Sequence, residues 1–276
     1  MSSSGADPRA PLRWPAEAIW EAVSPMLPGF SVEILPEIDS TNTELMRRAR
    51  AGRVEPVLLV AERQSAGRGR LGRDWVSASG GGVSSGGCDP HSGAAQGLTF
   101  SLGVALAPAD WSGLSLVVGL AVAQSLHPAL QLKWPNDVWL QDRKLAGILI
   151  ETASVGEQRY AVIGVGINLE APPAQGLRTP PAGLREVLPQ VDAPAALSQV
   201  AVPLVQAIRR FETEGFGPLR QAYHLRDRLY GCEVVCSDGV FGMARGVDAS
   251  GALLVHTENG LKKNTSSEVS VRPRPG

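Results

Sequence analysis

Three glycines and three arginines share one short stretch, Gly67-Arg68-Gly69-Arg70-Leu71-Gly72-Arg73, just after the apolar run Val57-Leu58-Leu59-Val60-Ala61. Glycine lets a backbone fold closely over a bound molecule, and guanidinium makes paired, charge-assisted bonds to carboxylate and phosphate. The loop is therefore suited to close over an anion such as an acyl phosphate. Taken alone it reads equally well as a solvated basic loop or a nucleic-acid contact. It also satisfies G-x-G-x-x-G, but a dinucleotide site needs a helix opening inside the loop and an acidic strand end about 20 residues on. Asp74-Trp75-Val76-Ser77 and a glycine-rich stretch follow instead, so the dinucleotide reading is set aside.

A second group of residues falls at successive strand ends. Lys133-Trp134-Pro135-Asn136-Asp137 sets a cation, an amide and a carboxylate where Pro135 stops regular structure. Asp142-Arg143-Lys144-Leu145-Ala146-Gly147 is a polar turn with a lysine opening into a strand that carries a glycine, which often marks close approach of a ligand. Gly164-Val165-Gly166-Ile167-Asn168 ends a further strand with two glycines and an amide. Each alone reads as an ordinary surface lysine or turn residue; together they suit phosphoryl or nucleotidyl transfer, which needs positioning and charge neutralisation more than a protein nucleophile. His91, His127, His224 and His256 are scattered and suggest no nucleophile triad. Cys88 and His91 form a C-x-x-H with no second pair near it, so a zinc site is not expected, and the three cysteines read as free thiols of a reducing compartment.

The elements that must position these groups follow from periodicity. Trp14–Met26 reads as a short amphipathic helix and Ser31–Leu35 as a strand. Thr41 and Glu44 stand in capping-box spacing at the head of a helix that Gly52 ends. Strands are expected at 57–61, 98–106, 132–134, 138–140, 145–151 and 160–168, with a helix carrying Leu114 to Leu126 between the second and third. The stretch from Ser77 to Gly97 is a glycine- and serine-rich loop, and Ala171–Pro194 is proline-rich and irregular. Helices follow over Ala195–Phe211 and about Leu219–Leu225. From Arg228 the texture changes to short strands separated by Asp238-Gly239, Ser250-Gly251 and Asn259-Gly260, the pattern of a small β-barrel docked on a larger body. The expected architecture is α+β, a mixed or antiparallel sheet covered by helices. Residues 1–30 would form an N-terminal extension with a short helix, 31–227 the main domain and 228–276 the barrel.

Composition narrows the class. Of 276 residues, 43% are hydrophobic and 19% charged, with a formal net charge of -1; this suits a folded chain and gives no global field for nucleic acid or membrane. The N-terminus lacks the apolar core of a secretory signal, and no run reaches the roughly 20 apolar residues of a membrane span. A cytoplasmic protein is expected.

Five words in order resemble the bacterial biotin–protein ligases: Ser40-Thr41-Asn42, Glu62 through Arg73, Lys133 through Asp137, Lys144 through Leu149, and Gly164 through Leu169. They span about residues 37 to 170, and the β-rich tail resembles that family's C-terminal domain. The resemblance implies a biotin pocket of Ser40, Thr41, Asn42, Gln64, Gly67, Arg68, Lys144 and Gly147. It implies a nucleotide side of Arg70, Arg73, Trp75, Lys133, Asn136 and Asn168, and catalytic roles for Arg70, Lys133, Asp137 and Lys144. No metal held by the protein alone is implied; magnesium would arrive with ATP, near Asp137. The implied reaction is attack of the biotin carboxylate on the ATP α-phosphate, then attack of a carrier lysine on biotinyl-AMP. The carrier would be the biotin carboxyl carrier protein of acetyl-CoA carboxylase, with no DNA or membrane partner and a homodimer as an admissible assembly.

Three departures stand out. Ser77–Gly97 is longer than usual for the family, the chain before Glu37 is too short for the DNA-binding domain of bifunctional members, and Ser267-Glu268-Val269-Ser270-Val271-Arg272 keeps the family pattern only in part. The nearest rival is a lipoate or octanoate ligase or transferase, whose pocket would be more apolar. A nucleic-acid-binding protein is the rival of another class, and it would need aromatic platforms on a basic face.

Overall fold

The structure is a computed structural model and describes residues 12–73, 75, 95–177, 179–265 and 271–273. Cys88, His91, nearly all of the Ser77–Gly97 stretch and Ser267 to Ser270 lie outside the described residues.

The larger body is built on a seven-stranded sheet. Its strands are β1 (Ser31–Ile38), β2 (Val57–Gln64), β3 (Gly97–Ala105), β4 (Gln131–Lys133), β5 (Asp137–Leu140), β6 (Arg143–Val155) and β7 (Gln158–Asn168), in spatial order β1-β2-β3-β7-β6-β5-β4. β1 and β2 are parallel, joined through α2 (Thr41–Arg50) as a crossover, and every other pairing is antiparallel.

Alternation along the strands sorts the two faces. On one, Leu58, Val60, Phe100, Leu102, Ile163 and Val165 join the main core with α1 (Ala16–Val23), α3 (Leu114–Leu126) and α4 (Ala193–Glu214). On the other, Val57, Leu59, Tyr160 and Val162 pack on Leu45, Met46 and Ala49 of α2. A strand covered on both faces has no polar side to show, which is why Val57–Ala61 reads as an unbroken apolar run. α3 lacks a polar stripe for the same reason: ten of its residues are buried between sheet and α4.

One local expectation changes. The α2 cap is Ser40, whose side chain accepts from Thr43 N, so Thr41 is the first helical residue and no capping box joins it to Glu44. Thr41 instead turns inward to Gln64. The short helix of residues 1–30 is α1, and Ile19, Val23, Leu27 and Phe30 lie within the main core.

The C-terminal part is an antiparallel sheet of β8 (Glu233–Cys236), β9 (Phe241–Val247), β10 (Leu253–Thr257), β11 (Gly260–Asn264) and β12 (Val271–Pro273), in order β11-β10-β9-β8-β12. β11 was not foreseen, because Gly260-Leu261-Lys262-Lys263 lacks an apolar alternation. The small sheet is anchored to the β4 edge of the large one. Past α5 (Arg220–His224), Arg226 O accepts from Leu132 N at 2.7 Å and Arg228 N donates to Leu132 O at 2.9 Å. The buried Trp134 indole donates to Gly251 O at 3.0 Å. No helix among the described residues is long and apolar enough to cross a membrane.

Candidate active site

The site occupies the α2 face of the sheet where that face lacks side chains. β-pairing sets Gly147 opposite Gly166, Gly166 opposite Thr99, and Gly164 opposite Ser101. Alternation puts all five on one face, so three glycines and two short polar residues make a hollow floor. A Cβ at Gly164 would overlap the Asn42 side-chain oxygen, and one at Gly166 would overlap the Trp75 indole. The glycines inside these strands are therefore required by what lies on them.

An inner pocket stands on this floor. Ser40, Thr41, Asn42, Gln64, Arg68, Lys144 and Gly147 line it, all expected from the sequence. Gly67 does not face it; its carbonyl accepts from Trp75 N at 2.9 Å, and a Cβ there would strike the Trp75 carbonyl. Most of the polar wall is committed. Thr41 N donates to Gln64 Oε1 at 2.8 Å, and the Asn42 amide reaches Glu151 Oε2 at 3.0 Å.

The inner pocket opens into a broader outer cleft. Arg70, Arg73, Trp75, Lys133, Asn136, Asp137, Lys144 and Asn168 line that cleft. Arg70, Trp75, Asn136 and Lys144 border both spaces and so mark the junction. Here Asp137 Oδ1 pairs with Lys144 Nζ at 2.8 Å and Oδ2 with Lys133 Nζ at 3.7 Å. Arg70 Nη1 donates to Asn136 Oδ1 at 3.1 Å, while Asn136 Nδ2 donates to Ile148 O at 2.8 Å. The Lys144 ammonium also stands over the Trp75 ring, 5.7 Å from its centroid.

Cations outnumber the carboxylate at the junction, and burial raises the cost of their charge. Burial lowers the Lys133 pKa; Asp137 opposes this, and repulsion from Lys144, Arg73 and Arg70 adds to it. Burial likewise lowers the Arg70 pKa, against the attraction of Asp137 and with the repulsion of Arg73. Desolvated cations with Asp137 as the one carboxylate between them among the described residues form a site that an anion would neutralise. The ordinary-surface-lysine reading fails for Lys133, which retains 11% of its side-chain exposure.

Sequence reasoning missed two parts. The proline-rich stretch after Asn168 forms the far wall of the cleft through Pro172, Leu177, Thr179 and Pro181. It is held there because Lys144 N donates to Pro180 O and Ala182 N donates to Lys144 O, each at 2.8 Å. Asn168 is buried and donates to Ala182 O at 3.2 Å and Lys144 O at 3.4 Å, so its amide pins this wall. The other omissions are Ser101 and Glu151, which lie under the inner pocket. Strand alternation would have put both on the glycine face, but no motif marks them.

Comparison with known proteins gives a consistent answer. Residues 34–168 match the model of the biotin/lipoate A/B protein ligase family, and residues 235–272 that of the biotin protein ligase C terminal domain. The chain is 35% identical over 261 residues to the bifunctional ligase/repressor BirA of Escherichia coli, covering 89% of this chain and 75% of that one. It is 33% identical over 245 residues to the biotin--[acetyl-CoA-carboxylase] ligase of Paracoccus denitrificans, covering 86% of this chain and 98% of the relative. Among solved structures it is similar to the biotin protein ligase of Aquifex aeolicus in complex with biotin and ATP, with a TM-score of 0.72, 29% identity, and 88% and 99% of the two chains covered.

Proposed function

The chain belongs to the biotin/lipoate A/B protein ligase family and is a biotin–protein ligase, and on that premise we propose how its residues divide the work. The observation that carries the assignment is the junction, where Arg70 and Lys144 border both a polar inner pocket and a cationic outer cleft.

Biotin occupies the inner pocket, with its ureido ring toward Ser40, Thr41 and Gln64 and its carboxylate toward Lys144. A ligand without that ring would leave buried polar groups unpaired, which favours biotin over lipoate or octanoate. Mg-ATP lies in the outer cleft, against Trp75 and the wall from Pro172 to Pro181, with its phosphates toward Arg70, Arg73 and Lys133. Magnesium enters with the nucleotide as part of that substrate, and Asp137 is the carboxylate of the cleft nearest to hand for it.

In the first step the biotin carboxylate attacks the α-phosphate, forming biotinyl-AMP and releasing pyrophosphate. Two anions must meet, and Arg70 and Lys144 between them lower the barrier by neutralising both. In the second step the neutral amine of a carrier lysine attacks the mixed anhydride and AMP leaves. A free lysine has a pKa of about 10.4, so its proton must be taken up. Asp137 is our choice of acceptor, because it is the carboxylate that faces the junction among the described residues.

The carrier in this reading is the biotin carboxyl carrier protein of acetyl-CoA carboxylase, and the reaction is cytoplasmic. β6 outruns β5, so from Ile150 to Val155 it pairs with β7 alone among the described residues. We assign this edge to strand pairing with the carrier, or with a second copy of the chain in a homodimer.

Titration of biotin, then lipoate, into the protein with Mg-ATP tests the reading. Tight biotin binding with release of one pyrophosphate is the expected result. A response to lipoate alone would transfer the chain to the lipoate branch of the family.

A further inference from the structure

Under the inner pocket runs an unbroken line of polar contacts. Gln64 Oε1 accepts from Thr41 N at 2.8 Å and Thr41 Oγ1 at 3.1 Å. Ser101 Oγ stands 2.7 Å from Thr41 Oγ1 and 2.6 Å from Asn42 Oδ1. Asn42 Nδ2 donates to Glu151 Oε2 at 3.0 Å and to Leu149 O at 3.3 Å. Glu151 Oε1 lies 3.4 Å from Arg68 Nη1. The line thus runs along the floor from Gln64, just before the glycine loop, to Arg68 within it. Thr41, Asn42 and Ser101 are buried.

From Glu151 to Ser101 the protons along this line have one consistent arrangement. An ionised carboxylate only accepts, so Asn42 turns its NH2 to Glu151 and its oxygen to Ser101. That oxygen only accepts, so it takes the single hydroxyl proton of Ser101. Ser101 therefore offers lone pairs to Thr41, and Thr41 gives its own proton to Ser101 or to Gln64 Oε1. Gln64 Oε1 is held by the Thr41 amide, which turns the Gln64 NH2 toward Gly67. Removing the carboxylate removes the group that selects this arrangement, and a buried network satisfied only in part is costly.

We propose that Glu151 is a positioning residue for biotin. Through Asn42 and Ser101 it fixes which groups of the pocket wall donate and which accept, and through Arg68 it holds the glycine loop over the pocket. The proposal rests on the biotin-ligase reading. Biotin's ureido group carries one acceptor flanked by two donors, so a wall of fixed polarity is what would recognise it.

The test uses the full chain and four variants: Glu151→Gln, Ser101→Ala, Asn42→Asp, and Asn42→Asp with Glu151→Gln. Biotin-dependent pyrophosphate release and thermal melting are measured for each. Glutamine can turn either end to Asn42 and does not attract Arg68. Glu151→Gln should raise the KM for biotin about tenfold and hold the KM for ATP within about twofold, with little change in melting. Ser101→Ala should show the same split between the two substrates, and it decides the matter if Glu151→Gln does not fold. Asn42→Asp sets two carboxylates in contact and should be the most damaged; adding Glu151→Gln restores one donor facing one acceptor and should recover biotin binding. An unchanged biotin KM in Glu151→Gln and Ser101→Ala, an equal rise in both KM values, or no recovery in the double variant would overturn the proposal. A wild-type chain that does not respond to biotin would overturn the ligase reading itself, before any variant is compared.

Discussion

The proposed chemistry rests on a few side chains whose neighbours leave them little freedom. Lys144 is tied to Asp137 at 2.8 Å and Arg70 to Asn136 at 3.1 Å, so both cations are already aimed at the junction before any ligand arrives. Lys144→Ala and Arg70→Ala should each abolish biotinyl-AMP formation while the circular-dichroism spectrum stays native. Adenylation retained by both would remove them from the catalytic set. Gly164 acts by absence. A Cβ there overlaps the Asn42 oxygen, so Gly164→Ala must rotate Asn42 and unpair it from Ser101 and Glu151. A loss of about 1–3 kcal/mol in biotin affinity is expected, measured by calorimetry against wild type. Affinity equal to wild type would show that Asn42 can move without consequence.

At the scale of elements, strand register decides what the site contains. Pairing of β6 with β7 brings Gly147 against Gly166, and a slip of one residue in β6 would turn Ile148 into the pocket, as a slip in β7 would turn Val165. The open edge of β6 carries its own prediction. Ile148 N and O both engage Asn136 on the β5 side, so strand alternation turns the Thr152 N–H to the same, unpaired side. Thr152→Pro removes that N–H and spares the bonds to β7, since proline is tolerated at sheet edges. The variant should form biotinyl-AMP at the wild-type rate and transfer biotin to the carrier more slowly. Transfer at the wild-type rate would place the carrier elsewhere.

Over the whole molecule, the joint between the two sheets holds a buried carboxyl. Asp227 bridges to Leu132 of β4 and accepts from Leu229 N at 2.9 Å, while its Oδ2 is buried with no partner among the described residues. Burial raises its pKa to about 6, against hydrogen bonds from Leu229 and Tyr230 and the attraction of His224. The folded chain therefore binds this proton more tightly than the unfolded chain. Stability from this group is greatest below the unfolded carboxylate value of about 4 and falls as pH rises through about 6. Asp227→Asn should be more stable than wild type at pH 7 to 8, by a margin on the order of 2 kcal/mol read from melting, and the margin should vanish toward pH 4. Parallel melting curves of the two proteins across that range would refute the assignment.

The sequence by itself determined the chemistry and most of the elements. Arg70, Lys133, Asp137 and Lys144 lie in words whose residue types suit anion handling, and apolar runs such as Val57–Ala61 admit a buried strand. These signals are local, within reach of a few residues' propensities and spacing. Tertiary structure alone decided what lies under and around the inner pocket and the outer cleft. Glu151 belongs to the site because β6 packs under α2, 109 residues away from Asn42 along the chain. Pro172 to Pro181 forms a wall because Lys144 offers its backbone to Pro180 and Ala182. Such contacts follow from register and packing between distant segments, and no pattern within either segment encodes them.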